Sequence, residues 1–170
     1  TIPSTVETIG NYAFNGCAAL TSVKWDSKDT LKSIGKYAFS GCSSLEEVFS
    51  SADSITQIDS HAFEDCTSLS FITLPSSVTS IGKSAFSGCT ALEEVYIPDA
   101  VTSIESNTFY GCSALNWVRL PDELGTIGEY AFDGCASLTE VFIPAKVTSI
   151  GEGAFSGCTG LEEFSVDEEN

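Results

Sequence analysis

The chain has 170 residues and carries 24 Asp and Glu against 7 Lys and Arg, a formal net charge of −17. A balance this acidic excludes a polyanion as the natural partner, because DNA and RNA are held by a basic stripe that displaces counterions, and it disfavours an anionic membrane surface. The 42% of hydrophobic residues supplies a real core, and no apolar run is long enough to cross a bilayer.

In chain order, the first element is the tail of a strand, Ile2-Pro3, followed by an extended contact ending at Ile9 and a turn, Ala13-Phe14-Asn15-Gly16-Cys17. This group then recurs. Phe14, Phe39, Phe63, Phe86, Phe109, Phe132 and Phe155 follow one another at intervals of 25, 24, 23, 23, 23 and 23. In phase with them run Cys17, Cys42, Cys66, Cys89, Cys112, Cys135 and Cys158, and three residues on Leu20, Leu45, Leu69, Leu92, Leu115, Leu138 and Leu161. Upstream runs a matching register of Ile9, Ile34, Ile58, Ile81, Ile104, Ile127 and Ile150. The first two connections between strand and next contact are irregular: Asp26–Thr30 and Ser51–Ser54 are longer than the three residues after Ile97, and neither has the proline found at 75, 98, 121 and 144. Insertions on one rim carry specificity in some repeat proteins, and drift explains them equally well.

The fourth unit shows the logic. Leu92-x-x-Val95-x-Ile97 alternates with Glu94 and Tyr96, the period of a half-buried strand. Pro98 ends it, since proline donates no ladder hydrogen bond. Val101-x-x-Ile104 makes a second short extended contact. The Ala-Phe-x-Gly-Cys segment is too short for an independent helix and predicts a helical or 3₁₀ turn, with the glycine before Cys giving the left-handed freedom that ends it. One unit cannot bury its own apolar side, whereas stacked units can. The period is that of leucine-rich repeats. The expected fold is one leucine-rich repeat solenoid over residues 1–170: right-handed, curved, about seven 23-residue coils, mostly short parallel strands joined by helical or 3₁₀ turns, each strand pairing with its equivalents. The chain lacks Met and neither end reads as a folded cap, so the expectation is a piece of a longer array.

The segment Ile-Pro-x-x-Val-Thr-Ser-Ile-Gly-x-x-Ala-Phe-x-Gly-Cys-x-x-Leu-x-x-Val, best seen at Ile97–Val118 and Ile143–Phe164, resembles the BspA-like, or Treponema-type, leucine-rich repeat. The resemblance spans essentially the whole chain. Asp59 and Glu105 depart from it in place of Gly, Asp65 in place of Gly, and Thr108 in place of Ala. The family implies surface or secreted proteins of bacteria and some protists, adhering to host proteins, extracellular matrix or other cells, with no catalytic residues and no cofactor.

The cysteines spread along the axis, one per coil, so they read as buried thiols acting as small hydrophobes, not as converging metal ligands. Disulfides between neighbouring coils are conceivable, although seven equivalent positions leave one orphan. The single histidine, His61, occupies a slot filled elsewhere by Tyr12, Tyr37, Ser84, Asn107, Tyr130 and Gly153, so it reads as one more occupant. Its neighbours Asp59 and Ser60 supply triad residue types without triad geometry.

In such a fold the residues flanking the inward Val and Ile leave the concave sheet. Along the chain they are Ser22/Lys24, Glu47/Phe49, Phe71/Thr73, Glu94/Tyr96, Trp117/Arg119, Glu140/Phe142 and Glu163/Ser165. Phe49, Phe71, Tyr96, Trp117 and Phe142 zigzag between the two columns, edged by Glu47, Glu94, Glu140 and Glu163, with Arg119 beside them. Exposed aromatics with Arg mark interaction hot spots, and cross-strand packing alone also accounts for them. The expected function is a non-enzymatic protein-binding or adhesion module using this stripe. The alternative is a structural spacer without its own ligand. The acidic pairs lack a calcium loop, and no metal is expected.

Overall fold

The structure, a computed structural model, describes residues 1–25, 30–48 and 54–167. The irregular connections at 26–30 and 51–54 lie almost wholly outside them, as does Phe49. The described chain winds through seven coils, marked by seven stacked phenylalanines.

Each coil offers up to two short strands. The Ile register gives β1 (Thr8–Ile9), β2 (Ser33–Ile34), β3 (Gln57–Ile58), β5 (Ser80–Ile81), β7 (Ser103–Ile104), β9 (Thr126–Ile127) and β11 (Ser149–Ile150). The Leu-x-x-Val-x-Ile register gives β4 (Phe71–Ile72), β6 (Glu94–Tyr96), β8 (Trp117–Arg119), β10 (Glu140–Ile143) and β12 (Glu163–Val166). All pairings are parallel and in repeat register, for example Ile58 with Ile81 and Val95 with Val118. Alternation sends Val95 and Ile97 into the core with Leu92, while Glu94 and Tyr96 face out.

Two expectations need correction. The pairing is not continuous. The Leu-register sheet splits into β4-β6-β8 and β10-β12, and the Ile-register sheet into β1-β2-β3-β5 and β7-β9-β11. At the second split, Gly82 N bonds Ile58 O and Gly128 N bonds Ile104 O, whereas among the described residues Glu105 N makes no such bond to Ile81. Glu105 brings a Cβ where those coils have glycine, but Asp59 does so too and β3 still pairs, so the Cβ alone does not explain the break.

The second correction concerns the turns, because no helix occurs among the described residues. The left-handed conformation recurs every fourth residue, at Tyr12 (φ 60°) and Gly16 (φ 71°) in the first coil and at Ser84 (φ 56°) and Gly88 (φ 73°) in the fourth. Helical dihedrals therefore never persist. The N–H groups alternate in their use. Cys89 N bonds Phe86 O within the turn, whereas Ser84, Phe86 and Gly88 N bond Ser106, Thr108 and Tyr110 O of the next coil. These inter-coil bonds, unlike the sheets, continue through every junction from Phe14–Ala38 to Phe132–Ala154. The departures fit this edge. Asp65 adopts φ 57° in the glycine slot, and the buried Thr108 hydroxyl donates to Glu105 O at 2.8 Å.

Along the same edge the phenylalanine rings stack nearly parallel, with centroids 5.0 to 5.6 Å apart. Phe39, Phe63, Phe86, Phe109 and Phe132 are completely buried. Offset stacking at this distance adds about 0.5–1.5 kcal/mol per pair to the burial itself. Beside them runs the thiol ladder. The Sγ of Cys42, Cys66, Cys89, Cys112, Cys135 and Cys158 each donates to the carbonyl of a phenylalanine in the preceding coil, at 3.2 to 3.4 Å. Cysteine thus fills a small apolar site and gives a turn carbonyl a weak second donor. All seven thiols are free. Five are buried, but Cys158 is half-buried and Cys17 is exposed, so burial protects only the interior of the ladder.

Where glycine follows the register isoleucine, as at Gly82 and Gly128, the coils approach closely, although Asp59 and Glu105 carry a side chain at the same place. A Cβ on Gly82 would lie 2.5 Å from Ser60 N and within 3.0 Å of two more backbone atoms, whereas one on Gly10 meets nothing within 4 Å. Gly82→Ala should therefore cost about 1–3 kcal/mol and Gly10→Ala less than about 0.5 kcal/mol, as read by urea unfolding. Equal effects would mean that the coils slide apart freely at this point.

Candidate partner-binding face

The outward columns of the Leu-register strands fall where the alternation puts them. Phe71, Tyr96, Trp117 and Phe142 are 57%, 48%, 37% and 52% exposed. They project from consecutive coils, because Phe71 and Trp117 both register with Glu94, and Arg119 with Tyr96. Glu140 sits directly opposite Glu163, and Phe142 opposite Ser165. Glu47 is bridged to Ser22 at the start of the face. Glu94, Glu140 and Glu163 make no ion pair among the described residues. Four large apolar side chains and three unpaired carboxylates thus share one exposed surface.

Arg119 is restrained from two sides. Its guanidinium donates to Asp99 Oδ1 at 2.6 Å and lies 4.6 Å from the centroid of the Tyr96 ring. The ring quadrupole attracts the cation, and the carboxylate fixes its direction. Asp99 was not among the residues the sequence pointed to. Its signal was its place just after the strand-ending Pro98, one coil before Arg119. With its charge met by Asp99, Arg119 leaves the face net negative.

Two depressions flank Trp117. One, of about 260 Å³, is lined by Phe71, Thr73, Leu74, Glu94, Tyr96 and Trp117. The other, of about 210 Å³, is lined by Trp117, Arg119, Glu140, Phe142, Glu163 and Ser165, and lies where β8 and β10 do not form a ladder. Trp117 is the wall between them. The structure therefore brings together Phe71, Glu94, Tyr96, Trp117, Arg119, Glu140, Phe142 and Glu163, while Glu47 is tied only to Ser22 in the first coils.

The remaining candidates lie elsewhere. His61 stacks on Tyr37 with ring centroids 4.4 Å apart, and Tyr37 stacks on Tyr12 at 5.0 Å. Its Nδ1 is 3.1 Å from Glu64 Oε1. It belongs to the aromatic column of the turn edge, in the left-handed slot shared with Tyr12 and Tyr37.

The BspA type leucine rich repeat region matches residues 1–101 and 79–170, in six copies. Among solved structures, a leucine rich repeat protein of T. pallidum is 33% identical with a TM-score of 0.82, covering 94% of this chain and 76% of that one. A leucine rich cell surface protein from Faecalibacterium prausnitzii is 38% identical with a TM-score of 0.68 over 99% of this chain. A leucine-rich repeat protein from Bacteroides ovatus is 26% identical with a TM-score of 0.77, also over 99% of this chain. The chain spans only 38% and 54% of the latter two. No protein of curated function matches it. With a matching repeat region from one end to the other on a solenoid of the same build, the chain belongs to the BspA type leucine-rich repeat family.

Proposed function

We propose that this chain is a non-enzymatic protein-binding module that takes its partner on the aromatic face of the Leu-register strands. One observation carries the reading. Phe71, Tyr96, Trp117 and Phe142 form an exposed apolar stripe on a frame that has already buried its core without them. Exposed large aromatics around one central Trp, rimmed by charge, are the composition of an interface hot spot. Display at a cell surface is supported by the Faecalibacterium prausnitzii relative, a leucine rich cell surface protein, and family resemblance points to secretion as the other location and to a host, matrix or cell-surface protein as partner.

The test is the triple variant Phe71→Ser, Tyr96→Ser, Trp117→Ser. Its side chains lie outside the core, so the thermal midpoint should stay within a few degrees of the parent. Binding to an extracellular matrix or host-cell protein that the parent captures should fall at least about tenfold, the effect of losing hot-spot residues. Unchanged affinity with an intact fold would make the stripe a cross-strand packing device and the chain a spacer.

A further inference from the structure

Resting on that reading of the face, we infer that its partner segment is a basic, proline-rich chain in the polyproline II conformation, lying along the solenoid axis across the strands. The inference rests on spacing and charge. Through the coils that carry Glu47 to Glu140 the face alternates: in one column Glu47, Phe71, Glu94, Trp117 and Glu140, in the other Thr73, Tyr96, Arg119 and Phe142; the alternation ends at Glu163, which sits opposite Glu140. Like side chains therefore recur every second coil in this stretch, and at the spacing of about 4.8 Å between the paired strands β4, β6 and β8 the repeat is about 9.6 Å. The two depressions on either side of Trp117 are displaced by about the same two coils.

Candidate backbones differ in how they meet that repeat. Polyproline II rises about 3.1 Å per residue with three residues per turn, so like side chains recur about every 9.3 Å. A β-strand presents one face every second residue, at about 6.7 Å, which matches neither one coil nor two. An α-helix turns every 5.4 Å or so, which drifts against single coils and does not reproduce the two-coil alternation. Only polyproline II stays in phase over the length of the stripe. Aromatic-lined grooves are also the kind of surface that takes this helix, because it is already ordered before binding. The charge sets the rest. Glu94 and Glu140 stand two coils apart and are unpaired among the described residues, and Glu163 follows one coil later. A Lys or Arg at every third residue of the ligand would meet Glu94 and Glu140 in turn, with the intervening prolines against Tyr96, Trp117 and Phe142.

The probe is a fluorescent peptide of about four arginine-proline-proline repeats, with an arginine-glycine-glycine peptide of equal length and charge as control. Anisotropy titration should show the proline peptide binding at least tenfold more tightly. Trp117→Ala should cost at least tenfold. Glu94→Gln with Glu140→Gln should weaken binding several-fold and flatten its salt dependence, while Glu129→Gln with Glu152→Gln, the same charge change on the turn edge, should leave both within about twofold. All variants are checked for an unchanged circular-dichroism melt.

Equal binding of the two peptides, equal effects of the two glutamate pairs, or an unaffected Trp117→Ala variant would overturn the inference and leave non-specific charge attraction. So would an oligosaccharide that binds with loss in Trp117→Ala and displaces the peptide. The broader reading fails separately: a protein partner lost in the triple serine variant but not displaced by the proline peptide overturns the ligand class alone, whereas a partner indifferent to the triple variant overturns the face.

Discussion

Raising the pH from 8 to 10 in the presence of a reductant should remove about 5 kcal/mol of folding stability. The cause is the thiol ladder. Burial pushes Cys66 and Cys112 from an ordinary value of 9.0 up to about 12, and pushes Cys89 and Cys135 up as well. Neighbouring thiols add to the shift at Cys66, Cys89 and Cys135. Above pH 9 the unfolded chain sheds these protons while the folded chain holds them. The folded state then binds more protons, and stability falls with pH. It is fully present below about 9 and is lost as pH climbs toward the folded values. Each thiol contributes about 1.4 kcal/mol per pH unit in that window, and the four together rival the 5–15 kcal/mol or so that holds an ordinary domain. Urea unfolding at pH 8 and pH 10 measures the difference. A variant with alanine at all four positions should be less stable at pH 8 but should lose much less between pH 8 and 10, keeping only the smaller dependence of Cys42 and Cys158, which burial also pushes up. A parent that loses less than about 1 kcal/mol would show that the thiols are not shielded in solution.

Phe86→Ala should be the most damaging single truncation on the turn edge, costing about 3–5 kcal/mol. Phe86 is fully buried and stacks on Phe63 at 5.4 Å and Phe109 at 5.6 Å, so its loss leaves a cavity in the middle of the array and breaks two ring contacts. Repeat proteins are held by nearest-neighbour terms. The break should therefore divide one cooperative transition into two, the coils on each side melting on their own. Phe155→Ala, at a partly buried position that stacks on Phe132 and meets the exposed Phe164 edge-on, should cost less than half as much, because less of the ring is withdrawn from water. Equal losses at the two positions in urea unfolding would show that the ring stack does not act as a coupled column.

The period of the Phe, Cys, Leu and Ile registers made the solenoid legible, because every coil solves the same packing problem. The outward placement of Phe71, Tyr96, Trp117 and Phe142 followed from strand alternation alone. The turn was misread for a definite reason. Tyr12, Tyr37, His61, Ser84, Asn107 and Tyr130 hold positive φ without being glycine; Gly153, Asn107 and His61 in that slot hint at it, but the three tyrosines and Ser84 mask the pattern. What permits it is the ring-on-ring stacking and inter-coil bonding that exist only after the coils assemble. The split between β8 and β10 was equally hidden, since both strands keep the same motif. The Asp99–Arg119–Tyr96 arrangement depends on inter-coil register, which spacing gives only once strands are paired.

Among the described residues the Ile-register sheet breaks between β5 and β7 and the Leu-register ladders stop between β8 and β10, with only isolated bridges in the first coils, while the phenylalanine stack and the turn-edge bonds run through all seven coils. Mechanically the molecule resembles a bound book, stiff at the spine and free at the page edge. Bending about the spine changes the distance between the coils carrying β8 and β10 without opening the ring stack, and those are the coils that enclose the depression beside Trp117. The side with the exposed aromatics is therefore the one tied by the less continuous set of inter-coil bonds.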